Sequence, residues 1–115
     1  VALYLALTYT ADVNWWDAEH AEELAEYRGW AVEHADALRS SALLHPTPTA
    51  TVVRVDSARG GQVITTDGPY AETKEALTGY YVIEAEDLDQ AVAMAAQLPA
   101  ARNGAVEIRP LIAFR

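Results

Sequence analysis

Three charged side chains sit close together on a stretch rich in turn-forming residues: Asp67, Glu72 and Lys74, within Asp67-Gly68-Pro69-Tyr70-Ala71-Glu72-Thr73-Lys74-Glu75. Two carboxylates and an ammonium on one loop could ring a small-molecule pocket, with Tyr4 or Tyr80 as a wall and Arg109 as an anion anchor. Surface loops held by a rigid scaffold carry a large share of binding and catalytic groups. Turn chemistry accounts for the same residues. Gly68 reaches backbone angles closed to other residues, and Pro69 fixes its own φ. The Asp67 carboxylate is placed to accept backbone N–H groups of the turn. A ligand-binding loop and a plain strand-ending turn therefore both stand as readings of this stretch.

Other patterns that could do chemistry are weaker. His20, Tyr27 and His34 recur every seven residues, which helical periodicity alone explains. His20 and His34 lie too far apart along a helix axis to share one metal. His45, in His45-Pro46-Thr47-Pro48, reads as a structural loop residue. The chain has no Gly-x-Ser-x-Gly elbow and no phosphate-cradling Gly-Lys-Ser/Thr loop. It contains no cysteine, which removes disulfides and thiolate chemistry and fits a reducing, cytoplasmic setting. Neither a metal nor a cofactor is expected. The net charge of −9 argues against nucleic acid or an anionic membrane surface as partner, since both need a basic patch. No apolar run is long enough to cross a bilayer, and the first residues lack the features of a signal peptide.

The Asp67 stretch resembles the signature of the DGPF proteins of the YciI-related (YCII) family, with Tyr70 where those proteins carry Phe. Thr78-Gly79-Tyr80-Tyr81 is similar to their Gly-Gly-Tyr-Tyr, with Thr78 at the first Gly. The similarity continues through Leu88-Asp89-Gln90-Ala91, Leu98-Pro99-Ala100-Ala101-Arg102 and Val106 to Pro110. The resemblance implies a dimeric α+β barrel. It leaves the reaction open, because most proteins resembling this one have no assigned activity. Some YciI relatives carry a proposed His–Asp dyad, a plausible general acid–base pair. Here those two positions fall on Trp30 and Leu98, so the dyad is not carried over, and whether the chain is an enzyme stays undecided.

The elements that must position these groups follow from periodicity. Ala2 to Tyr9 alternates as a strand, with Leu3, Leu5 and Leu7 on one face and Tyr4, Ala6 and Thr8 on the other. Asp17 suits an N-cap, and Ala18 to about Ser40 reads as one long helix. Its apolar stripe runs through Ala21, Leu24, Ala25, Ala31, Val32, Ala35 and Leu38. Thr49 to Asp56 and Gln62 to Thr66 form a hairpin. Pro69 opens a short helix that Gly79 ends, and Tyr80 to Ala85 is a strand. Asp87 caps a helix from Leu88 to Gln97, with Leu88, Ala91, Val92 and Ala95 inward. Ala105 to Phe114 is the last strand.

These elements predict one α+β domain over residues 1–115: a ferredoxin-like antiparallel sheet with helices on one face. Leu3, Leu5, Leu7, Val106 and Ile108 would line the helix-covered face. The other face remains too apolar for water, so a homodimer is expected. Two functions fit. One is a small-molecule-binding protein, or an enzyme of unknown reaction, that uses Asp67, Gly68, Pro69, Glu72, Lys74, Tyr4, Tyr80 and Arg109. The other is a non-catalytic dimeric accessory or regulatory protein, the context suggested by relatives encoded beside extracytoplasmic-function sigma factors.

Overall fold

The structure, a computed structural model, describes residues 1–57 and 59–113. β1 (Ala2–Thr10) follows the expected alternation and lies inside a four-stranded antiparallel sheet. The other members are β2 (Leu38–Leu43), β5 (Ala76–Ala85) and β6 (Ala105–Pro110), in the order β2-β5-β1-β6. β3 (Thr51–Val55) and β4 (Val63–Asp67) pair only with each other, as a separate hairpin between β2 and β5 in sequence. Three α-helices lie among the described residues: α1 (Ala21–Glu33), α2 (Leu88–Ala95) and α3 (Pro99–Asn103). With the hairpin left out, the order is β–α–β–β–α–α–β.

Alternation in β1 predicts which residues share a face but not which face the helices cover. The expected assignment is reversed. Tyr4, Ala6, Thr8 and Thr10 are the buried set, while Leu3 is exposed and Leu5 and Leu7 are half-buried. Val106 and Ile108 pair with Thr8 and Ala6 and do lie on the covered side. The reason is steric. Small residues of the sheet meet small residues of the helices, Ala91, Ala95 and Ala100, and all three are buried. The volume between the layers is filled instead by Tyr27 and Trp30 of α1 and by Tyr81, Ile83 and Leu98.

α1 begins after a 3-10 turn (Ala18–His20), and Asp17 makes no side-chain cap there. The helix stops at Glu33, well short of Ser40. The predicted stripe is also displaced, since Val32 is 77% exposed and Tyr27 and Trp30 are the buried residues. The chain then turns through His34 to Ala37 and enters β2, an edge strand that the helical periodicity concealed. Backbone pairing decided the matter: Leu38 to Leu43 zip against β5, and the Glu84 N–H donates to the Ala37 carbonyl at 2.8 Å. Trp30 Nε1 donates to the Met94 carbonyl at 3.0 Å, and His34 meets Gln97 at 2.9 Å, so both fix the end of α1 to α2. Burial pushes the Tyr27 and Tyr81 phenols up well beyond the usual range. Among the described residues the Tyr27 hydroxyl has no hydrogen-bond partner of good geometry, although the Ala100 backbone lies near it.

No helix follows Pro69; residues 69–75 form an irregular loop. β5 starts at Ala76, so Thr78 and Gly79 belong to a strand and end nothing. A bulge between Thr8 and Tyr9 places Thr78 as the extra residue, its hydroxyl among those of Thr8 (3.1 Å) and Thr10 (3.2 Å). Asp87 caps α2 as expected, accepting the Gln90 N–H at 2.9 Å. Ala91 and Ala95 face inward, but Leu88 and Val92 are half exposed. β6 ends at Pro110; the expected end of that strand, Phe114, lies outside the described residues.

Candidate functional site: a cleft under the Asp67 loop

One end of the sheet collects four chain segments. Tyr9 pairs with Leu77, and Leu43 with Gly79, so the ends of β1 and β2 and the start of β5 lie side by side. Beyond them run the segment around Asp12, the Leu44–Thr47 segment and the loop after β4. Together they enclose a cleft of about 580 Å³. Its floor is Tyr9, Ala76 and Leu77; Leu44, His45, Thr47 and Ala50 form one side, and Pro69, Tyr70, Glu72 and Thr73 the other.

Local hydrogen bonds hold these segments. Asp12 accepts the Thr47 N–H at 3.0 Å and also the Thr47 hydroxyl, tying the end of β1 to the segment leaving β2. The Leu44 N–H donates to the Thr78 carbonyl at 2.8 Å. Gly68 sits at φ +99°, a region costly for residues with a Cβ, and its N–H donates to the Ala50 carbonyl at 2.8 Å. That turn swings Pro69 to Thr73 back over the cleft. Thr73 donates its hydroxyl to the Glu75 carbonyl. Tyr70 is largely exposed, and the Arg54 guanidinium lies 5.4 Å from its ring centroid, within cation–π range.

The sequence-derived site residues divide into two groups. Pro69 and Glu72 line the cleft, and Asp67 and Gly68 form the turn that places them. Lys74 does not line it. Asp67 pairs with Thr51 through the β4 backbone, and among the described residues its carboxylate accepts no hydrogen bond from the turn. Tyr4 is buried against Ala85 and Ala91 on the helix side. Tyr80 is on the open face of the sheet, 3.5 Å from the Ser40 hydroxyl. Arg109 is on the same open face, paired with Glu107 at 2.6 Å, and that carboxylate pushes its pKa up. Tyr9, Asp12, His45 and Tyr70 were not foreseen. Asp12 reads as a strand breaker and His45 as a loop residue until the strand register brings their segments together.

The YCII-related domain profile matches residues 2–115, nearly the whole chain. An uncharacterised protein of Rhizobium meliloti (strain 1021) is 36% identical, with 98% of this chain and 94% of that protein covered. This chain belongs to the YCII-related domain family. The resemblance read from the Asp67 signature thus extends across the N-terminal third as well. The two positions where YciI relatives carry the dyad are core positions in this member: Trp30 and Leu98 are both buried. Asp17, Glu19 and His20 could approach a metal ion, with ligand atoms within 4.8 Å of one another. They lie away from the cleft and number fewer than the four ligands of a closed zinc site. No helix among the described residues is long and apolar enough to cross a membrane.

Proposed function

We propose that this YCII-related protein binds a small molecule in the cleft under the Asp67-Gly68-Pro69 loop, as a homodimer whose two ferredoxin-like sheets face each other in a barrel. The observation that carries the binding reading is the cleft itself. The family's signature loop forms one wall of a cavity of about 580 Å³, within the size range of small-molecule sites. His45 and Glu72 bring an acid–base group and a carboxylate to opposite sides of the cleft, so an enzymatic reaction is compatible with the lining. The dimer reading is supported by the uncovered face, where Leu3, Leu5, Leu7, Leu77 and Val82 share one side of the sheet.

The test is a fragment screen by two-dimensional NMR. Hits are expected to perturb Tyr9, His45, Tyr70 and Leu77, and Leu77→Trp, which fills the floor, should abolish them. A screen in which no fragment touches these residues would defeat the reading. Sedimentation at micromolar concentration should show a dimer, and Leu5→Lys should raise its Kd at least about a hundredfold, about 2.7 kcal/mol. The second reading, a non-catalytic dimeric accessory protein, is favoured by the apolar surface of the hairpin. Val53 and Val63 are 62% and 63% exposed, more surface than the cleft requires. An empty fragment screen together with an intact dimer would select it.

A further inference from the structure

We infer that the cleft selects a small organic cation with an apolar body, an alkyl- or arylalkyl-ammonium, over anions; this rests on the reading of the cleft as a ligand site. The ionisable side chains lining it are Asp12, Glu72 and His45, with the phenols of Tyr9 and Tyr70. Among the described residues no lysine or arginine lines it. Glu72 has no ion-pair or hydrogen-bond partner among the described residues, so its charge is uncompensated at the wall. Asp12 gives hydrogen bonds to no one and accepts two from Thr47, which fix its position and leave its negative charge in place.

The two candidates for an anion anchor are engaged elsewhere or lie off the lining. Arg109 is held by Glu107 on the open face, and Lys74 is not among the residues that line the cleft. Arg54, outside the lining, stacks on the ring of Tyr70 and shows that this ring accepts a positive charge. Leu44, Ala50, Pro69, Ala76 and Leu77 supply the apolar surface for the ligand body. The chain's net charge of −9 adds a field that draws cations and repels anions.

The experiment uses three probes with one body: 2-phenylethylammonium, 3-phenylpropionate and neutral 3-phenylpropanol, each titrated into the protein at pH 7.5 by NMR. The ammonium should perturb His45, Tyr70 and Leu77 and bind about tenfold tighter than the alcohol, the scale of two partly exposed charge pairs. The carboxylate should be weakest. Glu72→Gln, on an exposed loop, should weaken the ammonium about threefold and leave the alcohol unchanged. Equal binding of all three, or tighter binding of the carboxylate, overturns the cation assignment while leaving the cleft as a ligand site. No perturbation by any of the three overturns the assignment too, and an empty fragment screen would then remove the site itself.

Discussion

The molecule contains two antiparallel sheets of opposite character. The four-stranded sheet has a covered face where Ala6 and Thr8 are completely buried beneath the helices. The β3–β4 hairpin has no such face: all its strand residues but Val52 are exposed, on both sides of the ribbon. Yet its sequence, Thr51-Val52-Val53-Arg54-Val55, is as β-branched as any core strand. A two-stranded ribbon is marginal by itself in water. The chain is accordingly flat and spread out, 45 × 43 × 20 Å, with a radius of gyration of 16.2 Å, where a compact chain of this length would have about 13 Å. Burial within one chain accounts for the first sheet. The second has no such cover among the described residues, and the cleft lies where the two meet.

The largest expected effect separates the sheets directly. Ile83→Ala, on the covered face, should cost about 2–5 kcal/mol in chemical denaturation. Val53→Ala, on the hairpin, should cost less than about 0.5 kcal/mol at dilute concentration, where no partner covers it. A comparable loss at both positions would show that the hairpin is folded onto a surface of its own chain.

Alkali should attack the first sheet alone. Tyr27 and Tyr81 are kept neutral by burial, so their folded pKa values lie above the unfolded value near 10. Below pH 10 both states hold these protons and stability is unaffected. Above it the unfolded chain loses protons that the folded one keeps, so stability falls as pH rises, by up to about 1.4 kcal/mol per pH unit for each tyrosine. Urea midpoints between pH 9 and 11 measure this. Tyr81→Phe should reduce the slope, whereas a hairpin substitution should not.

On the covered face of the four-stranded sheet, at the end that meets the cleft, stands the threonine cluster. Thr78 bonds Thr8 and Thr10 and also donates to the Thr8 carbonyl at 3.2 Å. Thr78→Val keeps the volume but removes the hydroxyl, leaving buried polar atoms short of a partner. The expected cost is about 1–2 kcal/mol.

β1, β6, the second half of β5, the hairpin, the α2 cap and the family were legible because each rests on local chemistry: alternation, turn residues, an Asp at a helix start. What failed was non-local. The covered face of β1 depended on the alanines of α2 and α3 approaching closely. The end of α1 depended on β5 offering a strand edge to Leu38. The cleft was half legible, since Pro69 and Glu72 belong to one contiguous motif. Tyr9, Asp12 and His45 join it only through strand register, and no spacing in the sequence encodes that.

The smallest expected effect is the most informative about the motif. Asp67 is exposed, its backbone is already paired with Thr51, and its carboxylate accepts nothing from the turn. The turn is held instead by Gly68, through its φ of +99° and its bond to the Ala50 carbonyl. Asp67→Ala should therefore change stability by less than about 0.5 kcal/mol, the range of exposed substitutions without a named partner. Asp67→Asn should match it. A loss of about 1–2 kcal/mol in Asp67→Ala, spared in Asp67→Asn, would reveal a capping role of the usual size. With stability flat in both variants, thermal melts alone remove the structural explanation for this carboxylate. Any loss of ligand affinity in Asp67→Asn would then be electrostatic, because the asparagine keeps the shape and removes only the charge.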